Sequence, residues 1–119
     1  MLKDIDHVQI AIPSDAEDLA RAFYGGVLGM EEIDKPENLR MRGGVWYRVG
    51  DRQVHIGIQA DFRPATKAHP AFLVHDLRRL QLILENNGYP IIDDEPLPGF
   101  QRFYSHDPFG NRLEFVQKL

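Results

Sequence analysis

Glu114 is the residue that most needs a chemical explanation, because it stands between apolar residues in the last strand-like segment of the chain. Side chains alternate between the two faces of a strand, so Glu114 points away from the face that carries Leu113 and Phe115. A buried carboxylate is costly unless a cation or a hydrogen-bond donor partners it. Glu114 is therefore either a solvent-facing residue or a functional group with a partner.

Three histidines repeat this pattern elsewhere in the chain. His55 lies between two apolar residues of a strand that follows a turn of glycine and aspartate, as Glu114 follows its own turn. His7 and His69 each open an apolar strand, 48 residues before His55 and 45 residues before Glu114. Strand parity puts all four side chains on the face of the sheet that points away from the helix. The pattern predicts two halves that each bring two potential metal ligands to one face of a sheet.

The elements that must position these residues follow the order β-α-β-β-β twice. The sequence predicts one domain, residues 1–119, made of a module 1–60 and a module 67–119, in which each helix covers the apolar face of its sheet. Segment 36–44 reads as a loop, 90–94 as a short strand, and 107–111 as a tight turn. The fold class is α+β.

Helix boundaries are predicted from capping residues. Ser14 and Glu17 match a capping box for the first helix, and Gly25 with Gly26 is expected to end it. The second helix is expected to begin after Asp76 and to end at Gly88.

Composition excludes several function classes. The net charge of −4 gives no basic surface for nucleic acid, and no apolar run approaches the roughly 20 residues of a membrane span. Without a secretory signal pattern, a cytoplasmic location is expected. The chain has no cysteine, so a metal would be held by imidazole and carboxylate groups alone.

Three imidazoles and one carboxylate suit a divalent ion such as Zn, Ni, Co, Mn or Fe(II). Four ligands from His7, His55, His69 and Glu114 would leave two positions on a six-coordinate ion for neighbouring substrate oxygens. The ion could then stabilise an enediolate while Glu114 shuttles the proton. Without His55, the set becomes two histidines and one carboxylate, which suits Fe(II) and dioxygen.

Other polar residues on the same strands are candidates for substrate binding. Arg102 and Tyr104 alternate on the strand beside Glu114 and could hold an anionic substrate, although a cross-strand salt bridge with Glu114 also fits. Gln9 shares a face with His7 and is the third candidate. His75 and His106 fall outside the repeat and are expected to be surface or capping residues, and Trp46 to be core or cavity wall.

The chain resembles the vicinal oxygen chelate superfamily, which includes glyoxalase I, bleomycin-resistance proteins, methylmalonyl-CoA epimerases, fosfomycin-modifying enzymes and extradiol dioxygenases. The resemblance spans nearly the whole chain and is carried by the motifs Asp6-His7-Val8, Phe23-Tyr24, Val27-Leu28-Gly29-Met30, His69-Pro70-Ala71-Phe72 and Asp107-Pro108-Phe109-Gly110-Asn111-Arg112-Leu113-Glu114. It implies paired βαβββ modules whose open, mixed sheets curve into a barrel-like cavity. It also implies a divalent metal on His7, His55, His69 and Glu114, a small-molecule substrate, and a homodimer that in some members shares its sites between subunits.

The function expected from the residues and the resemblance is that of a glyoxalase I-like, metal-dependent enzyme with lyase or isomerase chemistry through a metal-bound enediolate. One alternative is a drug-sequestering protein of the bleomycin-resistance kind, which needs no metal. A second is an Fe(II) extradiol dioxygenase, although members of that class are usually longer chains. A fosfomycin-modifying role fits less well, because Gln9 stands where those enzymes are expected to carry threonine.

Overall fold

Two mixed β-sheets, each in its own part of the chain, organise the protein. The computed structural model describes residues 1–119, and they divide into two compact units, Met1–Arg63 and Pro64–Leu119. Each unit contributes one sheet with parallel and antiparallel strands, and neither sheet closes on itself. The predicted α+β class with paired mixed sheets is confirmed. No helix is long and apolar enough to cross a membrane.

The first unit holds a four-stranded sheet in the order β1-β4-β3-β2. Its strands are β1 (His7–Ile12), β2 (Glu31–Ile33), β3 (Val45–Val49) and β4 (Arg52–Ile58). β1 runs parallel to β4, and the other neighbours are antiparallel. Alternate strand residues and three helical residues make the buried core, namely Ile10, Ile12, Val45, Tyr47, Val54, Ile56, Ala20, Phe23 and Tyr24.

The first helix differs from its prediction at both ends. α1 (Glu17–Ala20) begins after Ala16, which has no polar side chain to cap it, and the Glu17 carboxylate accepts a hydrogen bond from the Gly44 backbone N–H at 3.3 Å. The helix does not stop at the glycine pair but continues as a π-helix (Arg21–Val27). The predicted capping box of Ser14 and Glu17 is therefore not formed, and the glycine pair lies inside the helical segment.

The segment predicted as a loop between β2 and β3 contains a 3-10 helix (Glu37–Arg42). Two glycines follow it with left-handed backbones, Gly43 at φ +73° and Gly44 at φ +83°. A Cβ atom on Gly44 would lie 2.2 Å from the Ile56 carbonyl oxygen. Glycine at this position therefore allows the loop to pack directly against the backbone of β4.

The second unit holds a three-stranded sheet in the order β5-β7-β6. Its elements are β5 (Ala71–Leu73), α2 (Leu77–Asn86), β6 (Phe100–His106) and β7 (Arg112–Lys118). The predicted strand 90–94 is reduced to one bridge, between Ile92 and Tyr104. Prolines at 90, 96 and 98 surround this segment, and they cannot donate to a ladder, so the pairing does not extend.

Local signals were reliable in the second unit. Asp76 caps α2 by accepting a hydrogen bond from the Arg79 backbone N–H at 3.0 Å, as predicted. The predicted turn at 107–111 joins β6 to β7, and Asp107 Oδ1 accepts from the backbone N–H groups of Phe109 and Asn111, both at 2.9 Å. This turn sets the antiparallel register that places Tyr104 opposite Glu114.

Candidate functional site

Glu114 is a buried acid on the middle strand of the second sheet, with 6% of its surface exposed. Each carboxylate oxygen has its own partner. Oε1 lies 2.8 Å from His69 Nε2, and Oε2 accepts a hydrogen bond from Arg102 Nη1 at 3.2 Å. Of the two situations that the sequence allowed, the structure therefore shows the buried acid with partners.

The pKa of Glu114 reflects two opposing effects. Burial alone raises the pKa, because it removes the charged form from water. Hydrogen bonding to His69 and Arg102, together with the positive charge of the Arg102 guanidinium, outweighs burial, so the pKa lies below the ordinary value of a glutamate. Glu114 is consequently ionised at neutral pH and can act as a ligand or a proton acceptor.

His69 has an acceptor at each ring nitrogen. Nδ1 lies 2.9 Å from the Lys67 carbonyl oxygen, and Nε2 faces Glu114 Oε1. A neutral imidazole carries only one N–H. If Nδ1 donates to Lys67, then Nε2 and the carboxylate are two acceptors in contact unless the ring is protonated or a cation is bound. In metal-ligating histidines the N–H of the second ring nitrogen commonly donates a hydrogen bond to a carbonyl in this way. His69 Nε2 and the Glu114 carboxylate therefore fit a divalent ion.

His69 was predicted to open a strand, but it lies outside β5, which begins at Ala71. Its ring instead meets the Tyr104 ring edge to face, with centroids 5.2 Å apart. The contact with Glu114 is nevertheless made, because β5 and β7 are parallel neighbours with Ala71 opposite Glu114.

Arg102 and Tyr104 belong to the same network as Glu114. Arg102 donates to Tyr104 Oη at 2.9 Å and to the Glu95 carbonyl oxygen at 2.7 Å, in addition to its bond with Glu114. Tyr104 is buried, and the Arg112 guanidinium lies 3.9 Å from the centre of its ring. The cross-strand salt bridge is therefore present, while the roles of Arg102 and Tyr104 in substrate binding stay predictions.

The first unit carries a stack of three rings. His55 on β4 is 5% exposed, and its ring stacks on Trp46 at 3.6 Å between centroids with an angle of 4°. The His7 ring also stacks on the His55 ring, with centroids 4.1 Å apart and an angle of 23° between the ring planes. Trp46 and His55 are direct partners across β3 and β4, which explains why the two rings meet.

Hydrogen bonds orient both histidines of the stack. His7 Nδ1 lies 3.0 Å from the Asp6 carboxylate, so donation by Nδ1 leaves Nε2 free to ligate. A carboxylate at the second nitrogen is the usual support of a metal-bound imidazole. His55 Nε2 lies 2.9 Å from Gln53 Oε1. His7 is the more accessible ring, with 44% of its side chain exposed.

The pKa of His55 is lowered. Burial is the main cause, and the neighbouring charge that His7 carries when protonated adds to it. Asp6 opposes these effects, and Lys35 lowers the pKa further. His55 is therefore neutral at physiological pH, which is the protonation state that a metal ligand requires.

Gln9 lies on β1, where it is exposed and is the direct partner of His55 across the parallel strands. Its side chain covers Gly57, because a Cβ atom on Gly57 would lie 2.6 Å from Gln9 Nε2. No contact tests its predicted role in substrate binding.

The structure thus brings the four predicted ligands together as two pairs, His7 with His55 and His69 with Glu114. It contains no group of three or more His, Asp or Glu side chains that could hold a metal ion. Whether the four residues share one metal stays a prediction.

Sequence reasoning missed several supporting groups. Asp6 and Gln53 could have been found, since one is the neighbour of His7 and the other lies two strand positions before His55. The Lys67 carbonyl could not, because a backbone contact of a loop leaves no residue signal. His106 also departs from its predicted surface position, since it is half-buried with a buried Nδ1 atom that has no hydrogen-bond partner.

Comparison with known proteins finds solved structures with the same fold. A glyoxalase family protein from Bacillus anthracis is 48% identical, with a TM-score of 0.95 over 100% of this chain and 98% of its own. A fosfomycin resistance protein from Listeria monocytogenes shares the fold at 14% identity, with a TM-score of 0.74 over 100% of this chain and 94% of its own. A lactoylglutathione lyase from Agrobacterium tumefaciens does so at 20% identity, with a TM-score of 0.69 over 92% and 91%.

No curated protein matches the chain at a significant level. The match to a family is nevertheless nearly complete, since it covers residues 4–115, which include the four predicted ligands and the turn before Glu114. The resemblance inferred from the sequence motifs is confirmed, and the chain belongs to the Glyoxalase/Bleomycin resistance protein/Dioxygenase superfamily.

Proposed function

We propose that the protein is a metal-dependent enzyme of the glyoxalase type, with lyase or isomerase chemistry on a small oxygenated substrate. The observation that supports it most is the contact of His69 Nε2 with Glu114 Oε1 at 2.8 Å, with the Lys67 carbonyl oxygen 2.9 Å from the other ring nitrogen. If Nδ1 donates to Lys67, a divalent cation bound by both Nε2 and Oε1 would compensate two acceptors that have no proton to share.

The proposed metal ligands are His7, His55, His69 and Glu114. Imidazole and carboxylate ligands without sulfur favour Zn, Ni, Co, Mn or Fe(II). When bound, such an ion would supply Lewis acidity to adjacent substrate oxygens and so acidify a carbon-bound proton beside a carbonyl.

Glu114 is the proposed proton carrier. His69 and Arg102 each contact one carboxylate oxygen, so one of these oxygens would exchange its contact for the proton that it accepts and returns. The low pKa of this carboxylate keeps it in the accepting form at neutral pH.

We further propose a homodimer. No three of the four ligands form a metal-binding group within one chain, so ligands from a second copy would complete the set. In this arrangement one copy supplies the pair His7 and His55, and the other supplies His69 and Glu114.

Metal content tests the proposal. Protein purified without added metal is analysed for bound ions, together with His69→Ala and Glu114→Ala. We expect bound divalent metal in the unmodified protein and an affinity loss of more than about a hundredfold in both variants. The control is His75→Ala, which removes an exposed histidine. Unchanged metal content in His69→Ala and Glu114→Ala would contradict the proposal.

A metal-free binding protein of the bleomycin-resistance kind is the second candidate. The observation in its favour is that Arg102 and His69 already hold both oxygens of Glu114, so the carboxylate has partners without an ion. Tight binding of a drug-like ligand that survives a chelator, without turnover, would favour this candidate over the enzyme.

A further inference from the structure

A pocket of about 210 Å³ lies at the end of the first sheet, where β2 stops and β3 begins. We call it the loop pocket, and its walls are Arg21, Glu32, Ile33, Asp34, Lys35, Arg40, Gly44, Val45 and Trp46. None of these residues belongs to the proposed metal ligands. The volume is below that of pockets for drug-sized molecules, so it suits a small ion or one end of a metabolite.

The walls of the loop pocket are held in place before any ligand binds. The Lys35 ammonium donates to the Gly43 carbonyl oxygen across the base of the loop. Arg40 Nε donates to the Lys35 carbonyl oxygen at 3.3 Å. The Gly44 N–H donates to the Glu17 carboxylate, and the Ile56 carbonyl oxygen is so close that a Cβ atom on Gly44 would lie 2.2 Å from it. A site formed in this way binds without first ordering a loop.

The loop pocket carries unsatisfied positive charge. Arg21 is paired with Glu32 at 3.1 Å, but Lys35 and Arg40 have only backbone carbonyls as partners. The terminal nitrogens of Arg40 are therefore available as a planar pair of donors, the group that best recognises carboxylate and phosphate. Asp34 also lines the pocket, without an ion pair, and would oppose an anion.

Trp46 connects the loop pocket with the histidine stack. The indole forms part of the pocket wall, and its ring stacks on His55 at 3.6 Å. A molecule anchored in the loop pocket would thus extend along Trp46 toward the first pair of proposed ligands.

We propose that the loop pocket binds the carboxylate or phosphate group of the substrate through Lys35 and Arg40. The substrate is then an anionic, oxygenated small molecule. The link to the substrate rests on the proposed function, whereas the binding of the anion is a property of the first unit by itself.

The test measures anion binding to metal-free protein. Trp46 is the only tryptophan, so its fluorescence is followed while inorganic phosphate or malonate is added at constant ionic strength, with the shift in melting temperature as a second measurement. We expect saturable binding of at least one probe, and the tighter probe identifies the anionic group. No saturable response to either probe overturns the proposal.

Variants locate the site. Arg40→Gln should weaken binding at least about tenfold, because a charge-assisted hydrogen bond is lost. Asp34→Asn should strengthen binding by about threefold, because a like charge is removed. The matched control is Arg42→Gln, which lies in the same 3-10 helix but outside the pocket, and it should bind as the unmodified protein does.

The outcomes separate this proposal from the proposed function. Equal weakening by Arg40→Gln and Arg42→Gln would show general charge attraction and overturn the loop pocket. Glu114→Ala should leave anion binding unchanged, and Arg40→Gln should leave metal content unchanged. Absence of anion binding with normal metal content would therefore show that the loop-pocket proposal fails, and the reverse would show that the proposed function fails.

Discussion

The contacts of Glu114 compensate its buried negative charge whether or not a metal is bound. Its two oxygens are divided between His69 and Arg102, so the buried charge is compensated in the structure itself. The carboxylate should then stabilise the metal-free fold, and its contribution should depend on pH.

Glu114→Gln tests that contribution in metal-free protein. The folded pKa of Glu114 is lowered from its ordinary value of 4.5, so its stabilisation is fully present above that value and is lost as the pH falls through the folded pKa. We expect unfolding free energies of the variant to fall less steeply in acid than those of the unmodified protein. Urea unfolding between neutral pH and acid measures this.

The matched control for that experiment is Glu85→Gln, an exposed glutamate on α2. It should keep the full acid dependence of the unmodified protein. An acid dependence in Glu114→Gln that equals that of the control would show that the contacts of Glu114 do not stabilise the fold.

At the residue level, strand parity predicted more than capping did. Alternation predicted that Glu114 and His55 point away from their apolar strand neighbours, because the period of a strand is fixed by the backbone. In the structure Glu114 meets His69 and Arg102, and His55 stacks on His7 and Trp46. Alternation could not supply the stack of Trp46 on His55, since cross-strand neighbours depend on register. Alternation also left open whether Arg102 contacts Glu114, because a charged strand residue can face either a partner or a substrate.

The loop between β2 and β3 is the element whose backbone is most constrained. Gly44→Ala would combine a left-handed φ of +83° with a Cβ atom 2.2 Å from the Ile56 carbonyl oxygen. We expect a loss of more than about 2 kcal/mol in unfolding free energy. Thermal or urea unfolding provides the measurement.

Gly50→Ala is the control for the loop glycine. Gly50 also has a positive φ, +57°, but nothing lies within 4 Å of an added Cβ atom. Backbone strain alone should then cost about 1 kcal/mol. Equal losses for the two substitutions would mean that close packing against β4 does not constrain the loop.

One element prediction failed because a distant group intervened, and another because prolines stand nearby in the sequence. Glu17 and Ser14 have the spacing of a capping box, yet Glu17 binds the Gly44 N–H, 27 residues away in sequence. The weak strand at 90–94 retained one bridge, because prolines limit its donors. By contrast, the Asp76 cap and the Asp107 turn were predicted correctly, since their hydrogen bonds are made within a few residues.

On the scale of the whole molecule, the repeat in the sequence correctly indicated two sheets of similar plan. The second sheet has three strands instead of four, a difference that the spacing of the ligands could not reveal. The arrangement of two copies in a dimer cannot be predicted from the sequence, because a self-complementary surface leaves no periodic pattern.

Mixed dimers test how the ligand pairs combine. One variant carries His7→Ala with His55→Ala, and the other carries His69→Ala with Glu114→Ala. Each should bind no metal alone, and the two refolded together should recover about a quarter of the normal content, because half of the dimers then hold one intact site of two. Metal analysis with a mass measurement provides the readout.

The mass expected for the mixed species is twice the 13.7 kDa of one chain. A dimer that recovers no metal would show that each site draws its ligands from one copy. A species with the mass of a single chain would contradict the homodimer itself.

The contrast between the hairpin β6–β7 and the parallel pair β1–β4 has a consequence for the order of folding. The short Asp107 turn joins the two strands of the hairpin. A much longer segment, which contains the first helix and two strands, separates β1 from β4. Because closure entropy grows with loop length, we expect the hairpin to form in the folding transition state and β1 to join later. Asn111→Ala should therefore slow refolding, while Ile10→Val should mainly accelerate unfolding in stopped-flow measurements.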